Sequence, residues 1–430
     1  MKEDTSYGNI LNKFQKNLPK NVFIWDETLR DGEQAPGVFF TKSEKLAIAK
    51  KLSNIGVNII DLGFAGISKE EDQCIKALLD ENLLCDVGAT VRANIEDIDT
   101  ARALGVSRVF AFVSTSPVHI KYKLNKKPDE IESIVEKSIT YARDHGIIID
   151  FISEDTVRSD LNYVIKIFNL AADCGANILM ITDTVGCATP SDIKQICMYI
   201  LKKVKHDKMG IHCHNDLGLA TANTISAVEE GIQFPTVTIN GIGERSGNAS
   251  FAEVVLALES IYNVSTNIKL NELMDASSLV EGASGIYLPV HQPIVGYNSF
   301  RHESGIHVDG LLKESLTYEP INPNILNRKR SYVLGKHSGR NLIKQLLEKK
   351  NINFTDDQLR KILALISTEK DRTFETKKDH FFRLKNEINE YNKKILGFSE
   401  DKLWRIVYSV VGGYDEADSS PKNNQKSLSD

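Results

Sequence analysis

The sequence has no cysteine pair to build on. Its six cysteines, Cys74, Cys85, Cys174, Cys187, Cys197 and Cys213, are scattered without a single CxxC. In a chain of 430 residues they read as reduced thiols, not as a disulfide framework. A long basic block is also missing, and the net charge of −5 argues against a nucleic-acid partner. No apolar run approaches the ~20 residues that cross a bilayer, so no membrane partner is expected. The opening stretch MKEDTSYGNILNKFQKN lacks the apolar core of a signal peptide. There is no convincing internal repeat. A dinucleotide fingerprint is absent too: Gly241, Gly243 and Gly247 in NGIGERSGN suit a tight loop, but they follow a strand without the required register. These absences predict a soluble, cytoplasmic protein.

What is present is a regular alternation. Hydrophobic residues make up 41% of the chain, enough for a large core. Eight short, apolar, β-branched-rich runs can be found, at Val22–Trp25, Asn58–Leu62, Cys85–Thr90, Arg108–Val113, Ile147–Ile152, Ile178–Thr182, Met209–His212 and Thr236–Ile239. Stretches of helical period lie between them. In residues 41–56, Thr41 and Glu44 have capping-box spacing, Leu46, Ala49, Leu52 and Ile55 share one face, and Gly56 suits the stop. Leu217–Glu230, closed by Gly231, reads the same way. Strands that are apolar on both faces and alternate with helices imply a parallel sheet, and eight such units predict a (β/α)8 TIM barrel. Beyond residue 265 the pattern turns mostly helical, over Ile268–Ile286 and Asp356–Asn392. The expected domains are an N-terminal extension (1–21), the barrel (22–265), a helical C-terminal region (266–414) and a polar tail (415–430) expected to be disordered.

A barrel puts its chemistry at the C-terminal ends of its strands. The charged and polar residues gather there: DETLRDGEQ after the first run, SED after the fifth, TDTVG after the sixth, HCHND after the seventh. In a strand, residues i and i+2 face the same side, about 6.6 Å apart. His212 and His214 can therefore converge on one ion, while Cys213 points into the core. Two polar histidines at a strand end are an equally ordinary reading of a lone HxH. A third candidate, Asp31, strengthens the metal reading, because strand one lies near strand seven in a barrel. Two histidines and a carboxylate leave positions open for substrate, as in catalytic divalent sites. Asn248 can add an amide oxygen. Arg30 either stabilises an oxyanion beside the ion or pairs with Asp26 or Glu27. Glu154 is either a general base or the cap of the next helix. His302 and His307 are spaced five apart, poor for joint metal binding; His307 alone is a candidate acid/base residue.

Five stretches, DETLRDGEQAPG, HCHNDLGLATAN, TINGIGERSGN, HESGIHVDGLLK and LGKHSGR, together resemble the signatures of the 2-isopropylmalate/homocitrate synthases. The resemblance runs from about Val22 to Arg340. It implies a metal-dependent TIM barrel that condenses acetyl-CoA with a 2-oxo acid, and a homodimer whose helical region covers the partner's barrel mouth. It implies that Asp31, His212 and His214 hold a divalent ion (Mg, Mn, Zn or Co), with Asn248 nearby, and that Arg30 polarises the keto oxygen. It matches Glu154 and His307 to acid/base work, Arg92, Thr184 and Gln34 to the substrate pocket, and Tyr318 to a tyrosine reaching in from the other subunit.

The substrate is less marked. STSPVHIKYKL resembles isopropylmalate synthases and HVDGLLKESLTYEP resembles the shorter homocitrate synthases. Lysine-pathway homocitrate synthases carry an arginine four residues before the matched glutamate, to meet the distal carboxylate of 2-oxoglutarate; here that position is Asp150, which is expected to repel it if it faces the pocket. Ala65 in GFAGIS stands where the family usually has proline. Only about ninety residues follow LGKHSGR, so no leucine-type feedback domain is expected. The resemblance therefore leans to an isopropylmalate-type substrate, followed by homocitrate and then citramalate synthesis. A 3-hydroxy-3-methylglutaryl-CoA lyase uses a cysteine in the loop after the last strand, which NGIGERSGN lacks. A non-catalytic paralogue would have lost a ligand, Arg30, Glu154 or His307, and all are present.

Overall fold

Eight parallel strands close into one barrel in sequence order. The computed structural model describes residues 18–334, 340–395 and 400–411. The strands are β1 (Trp25–Asp26), β2 (Ile59–Phe64), β3 (Asp86–Arg92), β4 (Arg108–Ser114), β5 (Ile148–Glu154), β6 (Leu179–Asp183), β7 (Met209–Cys213) and β8 (Phe234–Val237). Closure is made where Trp25 pairs with Thr236 and Asp26 with Val237. The helices on the outside are α1 (Lys42–Ile55), α2 (Lys69–Leu79), α3 (Ile95–Leu104), α4 (Pro128–Asp144), α5 (Leu161–Cys174), α6 (Pro190–Lys203), α7 (Ala220–Glu229) and α8 (Phe251–Ser260). The (β/α)8 barrel expected from the alternation is therefore the fold.

Two cores follow from this architecture. The larger lies between strands and helices. A smaller one, Trp25, Ile59, Phe110, Ile152, Ile178, Met180 and Phe234, draws on strands around the barrel and fills its interior, with the Trp25 and Phe110 rings 4.4 Å apart. This packed floor is why chemistry is confined to the barrel's mouth.

Several boundaries differ from the sequence expectations for local reasons. The first run forms only a two-residue ladder, because Ile24 N–H donates to the Asn58 side chain at 2.8 Å instead of to a strand carbonyl. The last strand starts two residues earlier than expected, since Ile239–Gly241 is a 3-10 turn with Asn240 at φ 61°. Helix α7 begins at Ala220, not Leu217, because Gly218 at φ 73° turns the chain first and leaves Leu217 exposed. Helix α1 has the expected capping box between Thr41 and Glu44, and closes at Gly56. Its buried face, however, includes Lys45, while Leu46 is only partly covered.

After the barrel come α9 (Leu273–Ser284), β9 (Arg301–His302), α10 (Gly305–Lys313), β10 (Ser331–Tyr332), α11 (Arg340–Lys349), α12 (Asp356–Ile395) and α13 (Glu400–Val411). The helix expected over Ile268–Ile286 is shorter, α9 being preceded by a 3-10 turn at Leu270–Glu272. The chain divides into compact units at Lys370/Asp371. Residues 335–339 of LGKHSGR and the tail 415–430 lie outside the described residues. Among the described residues no helix is long and apolar enough to cross a membrane.

Candidate active site

The loop after β1 begins with Asp26, whose carboxylate accepts hydrogen bonds from Thr28 N–H and Oγ at 2.8 and 3.0 Å. Thr28 Oγ in turn accepts from Ile239 N–H at 2.8 Å, stitching the loop to the end of β8. The polypeptide is thereby bent so that Glu27, Arg30 and Asp31 face the barrel axis. Asp26 itself makes no bond to Arg30. The guanidinium pairs with Glu27 at 2.7 Å, Asp31 at 2.8 Å and Asp61 at 3.2 Å. Three of its five N–H groups are thus used on carboxylates. Of the readings posed from the sequence, the ion pair with Glu27 forms, and Arg30 also stands against Asp31.

Asp31, His212 and His214 come together as expected: one ligand atom from each lies within 4.8 Å of the others. The two Nε2 atoms are 3.2 Å apart, and Asp31 Oδ2 is 3.9 and 3.8 Å from them. The period of β7 explains this. His212 and His214 point inward, while Cys213 between them is buried in the surrounding core, which pushes its thiol pKa well up. His212 Nδ1 lies 2.7 Å from Glu27 and 3.0 Å from Thr236 Oγ. Glu27 is the closer and the ionised acceptor, so it accepts the hydrogen bond from Nδ1–H and leaves Nε2 to face the site. The sequence reading offered Glu27 only as a partner for Arg30. Its place two residues past Trp25, on the same side of the strand, was the available signal.

Electrostatics fit a cation. Burial acts to raise the Asp31 pKa, but Arg30 and the two histidines outweigh it and hold the carboxyl well below its usual range. Burial and the neighbouring His212 push His214 down to about 4, so its ring is neutral with lone pairs available. Burial opposes protonation of His212, but Glu27 and Asp31 raise it above 6.5. Asn248 sits where the loop after β8 bridges back to His214. Its amide nitrogen donates to Asp31 at 2.7 Å and to Ile242 O at 3.2 Å, which fixes the amide's orientation. Its Oδ1, like His214 Nδ1, is a buried polar atom with no protein partner. A buried, unpartnered acceptor on the residue that binds Asp31, next to three convergent ligand atoms, fits a cation-holding site. Asn248 reaches Asp31 only because residue 243 is glycine: a Cβ there would lie 2.0 Å from Asn248 Nδ2 and 2.7 Å from Asp31 Oδ1. Oxygen and imidazole donors suit Mg, Mn, Zn or Co.

Above the floor lies a cavity of about 250 Å³, lined by Arg30, Asp31, Gln34, Glu154, Thr184 and both histidines, among others. Glu154 does not cap the next helix; Asp160 does, accepting from Tyr163 N–H. Glu154 faces the cavity instead, hydrogen-bonded by Ser114 Oγ and by Lys123 at 2.6 Å. Neither partner was singled out from the sequence, although Lys123 lies in STSPVHIKYKL. Thr184 Oγ accepts from Asp155 N–H at 2.8 Å, and its carbonyl accepts from Arg245 at 2.8 Å. The cavity's apolar wall is Phe64, Phe112, Ile152 and Met180.

Three expected site residues are not brought to this cavity. Arg92 stands at the end of β3, but Asp97, five residues on, captures it at 2.7 Å and its side chain is 63% exposed. His307 and Tyr318 stack on each other at 4.0 Å, both exposed, and neither lines the cavity of this subunit. Asp150 does not face the pocket either. It pairs with Arg108 at 2.6 Å and Asn177 at 2.9 Å towards the opposite end of β5, so the expected repulsion of a distal carboxylate falls away. Ala65, in place of the usual proline, donates its N–H to Thr90 O at 3.1 Å, a bond proline cannot make.

The HMGL-like family profile matches residues 21–280, and the homocitrate synthase post-HMGL domain-like profile matches 294–373. The chain is 46% identical over 341 residues to the (R)-citramalate synthase CimA of Methanocaldococcus jannaschii, covering 79% of this chain and 69% of that one. It is 41% identical over 396 residues to a probable 2-isopropylmalate synthase of Ignicoccus hospitalis, covering 92% and 94%. It is also 41% identical to the homocitrate synthase AksA of M. jannaschii, covering 81% and 86%. Among solved structures it superposes on hydroxymethylglutaryl-CoA lyase from Pseudomonas aeruginosa with a TM-score of 0.57 at 20% identity, covering 63% of this chain and 96% of that one. At that identity the likeness concerns the fold alone.

Proposed function

Because the chain belongs to the 2-isopropylmalate/homocitrate/citramalate synthase family, and condenses acetyl-CoA with a 2-oxo acid, we propose that its oxo acid bears a short apolar side chain. Identity to relatives does not discriminate, since relatives with three different names lie at 41–46%. The cavity wall does. Each lining Lys or Arg side chain already has a carboxylate partner: Arg30 has Glu27, Asp31 and Asp61, Lys123 has Glu154, and Arg245 has Asp216. The rest of the lining includes the apolar Phe64, Phe112, Ile152 and Met180. A second carboxylate, as on 2-oxoglutarate, would be buried without a cation. This favours a 2-isopropylmalate synthase-like reaction over homocitrate synthesis. Citramalate synthesis, from an oxo acid smaller still, is the second reading, since the same apolar lining accepts it.

Asp31, His212 and His214, with Asn248 Oδ1, would hold the divalent cation, which when bound supplies Lewis-acid polarisation of the oxo acid, worth roughly several kcal/mol. The chain's own residues supply the rest. Arg30, fixed by three carboxylates, presents its remaining N–H groups to the oxygen on which charge develops as the new C–C bond forms. Glu154, held by Ser114 and Lys123, is the cavity's acid/base carboxylate, and Gln34 and Thr184 orient substrate. Water then cleaves the thioester and makes condensation irreversible. His307 and Tyr318, exposed and stacked, reach the site of a second subunit in a homodimer. A lyase reading is disfavoured, because the loop 240–248 holds no cysteine.

The test is thiol release from acetyl-CoA with pyruvate, 3-methyl-2-oxobutanoate and 2-oxoglutarate, with and without chelator. Release is expected with an apolar oxo acid, lost with chelator and restored by metal. The value of kcat/KM for 2-oxoglutarate should be at least about a hundredfold lower, the cost of an unpaired buried charge. No release with any oxo acid, or a preference for 2-oxoglutarate, overturns the proposal.

A further inference from the structure

Lys45 is a lysine on a barrel helix whose side chain is only 1% exposed. Such burial is rare without a purpose, because an ammonium leaves water only when fully paired. Its Nζ lies 2.6 Å from Glu33, 2.6 and 2.8 Å from the two Glu71 oxygens, and 3.4 Å from Leu29 O. Leu29 and Glu33 bracket Arg30 and Asp31. One ammonium therefore grips both shoulders of the loop that carries them.

Its third partner reaches the same place by another route. Glu71 packs against Gly63, where a Cβ would sit 1.8 Å from Glu71 Oε1, in a backbone conformation with φ +138° that favours glycine. Gly63 N–H donates to Asp61 at 3.2 Å, and Asp61 accepts from Arg30 Nε at 3.2 Å. Glu33 is itself anchored, accepting from Phe40 N–H at 2.8 Å at the entry to α1. Helix α1, the loop after β1 and helix α2 thus converge on one nitrogen, and none of Lys45, Glu33 and Glu71 lines the substrate cavity.

We propose that Lys45 is a positioning residue for the metal-binding loop, acting through Glu33 and Leu29 to hold Asp31 and Arg30 in place. This rests on the assignment of Asp31 as a metal ligand. It does not depend on which oxo acid is the substrate.

The closing experiment measures metal affinity of the metal-stripped full chain by titration calorimetry with Mn. It compares Glu33→Gln, Lys45→Met and the double variant, with melting temperature alongside. E33Q leaves the Lys45–Glu71 pair intact and keeps an acceptor for Phe40, so it tests the link even if K45M fails to fold. Metal affinity is expected to fall about tenfold in E33Q, the lower end of what outer partners of metal ligands contribute. Where K45M folds, adding E33Q to it should weaken binding by less than about twofold more, because both changes break one bond. KM for acetyl-CoA should stay within twofold while kcat falls. An E33Q affinity within twofold of the unmodified protein, or additive losses in the double variant, overturns the role. Failure of the unmodified protein to bind Mn would instead reject the ligand assignment itself.

Discussion

Replacing Glu27 by glutamine isolates what orients His212. The Glu27 carboxylate lies 2.7 Å from His212 Nδ1. E27Q keeps the shape and an acceptor oxygen but removes the charge. Outer partners of metal-bound imidazoles are worth about 10–100-fold in metal affinity, or about 1.4–2.7 kcal/mol. Glu27 also pairs with Arg30 at 2.7 Å, so the upper half of that range is expected. A second readout follows from the proton. Glu27 and Asp31, against burial, raise His212 above 6.5. His212 therefore holds its proton to higher pH than a free imidazole does. A cation taking Nε2 must displace that proton, so affinity drops as pH falls through the His212 pKa. Calorimetry in two buffers of different ionisation enthalpy should show a number of protons released on ion binding that grows as the pH is lowered. The number should be smaller in E27Q, whose imidazole is no longer held charged. An unchanged proton count together with affinity within twofold of the unmodified protein would refute the reasoning.

Two further changes test the surroundings. Gly243→Ala puts a Cβ 2.0 Å from Asn248 Nδ2, so either Asn248 or Asp31 must move; metal affinity should fall more than about tenfold while the far-ultraviolet circular dichroism stays native, and unchanged affinity would show that Asn248 is no part of the site. Thr41→Ala removes one half of the α1 capping box and should lower unfolding free energy by about 0.5–2 kcal/mol in denaturant titrations, with metal affinity unchanged; a shift in affinity instead would mean that the start of α1 is coupled to the ion site.

The barrel was legible because its signals are local. Apolar β-branched runs, the Thr41–Glu44 box and the period-two spacing of His212 and His214 each need only a few neighbouring residues. The convergence of Asp31, His212 and His214 was legible because fold and period together say which side chains share a face. What escaped is what depends on a competing partner. Arg92 has the right strand end, but Asp97 lies within reach and takes it. Asp150 has the right spacing from Glu154, but Arg108 on the neighbouring strand neutralises it below the cavity. Lys123 and Ser114 meet Glu154 through tertiary neighbours of β5, and no periodicity announces them. His307 and Tyr318, matched to the site by motif alone, stack on each other outside the cavity.

The crowding of charge after β1 is the cost-bearing feature of this molecule, and its arithmetic explains its form. Around Arg30 stand Glu27, Asp31 and Asp61, three carboxylates against one guanidinium. Burial raises Asp61 to about 7, with Arg30 acting against it, so near neutrality it is only partly ionised. Glu27 and Asp31 shift His212 towards its protonated form, which offsets part of that negative charge. A divalent ion held by Asp31, His212 and His214 would add positive charge among these carboxylates. Removing any one carboxylate would ease repulsion in the empty site but leave Arg30 less restrained and the cation less well balanced. The loop is therefore arranged for its occupied state, and the buried links at its base, Thr28 to Ile239 on one side and Lys45 to Glu33 on the other, keep that arrangement from relaxing before the cation arrives.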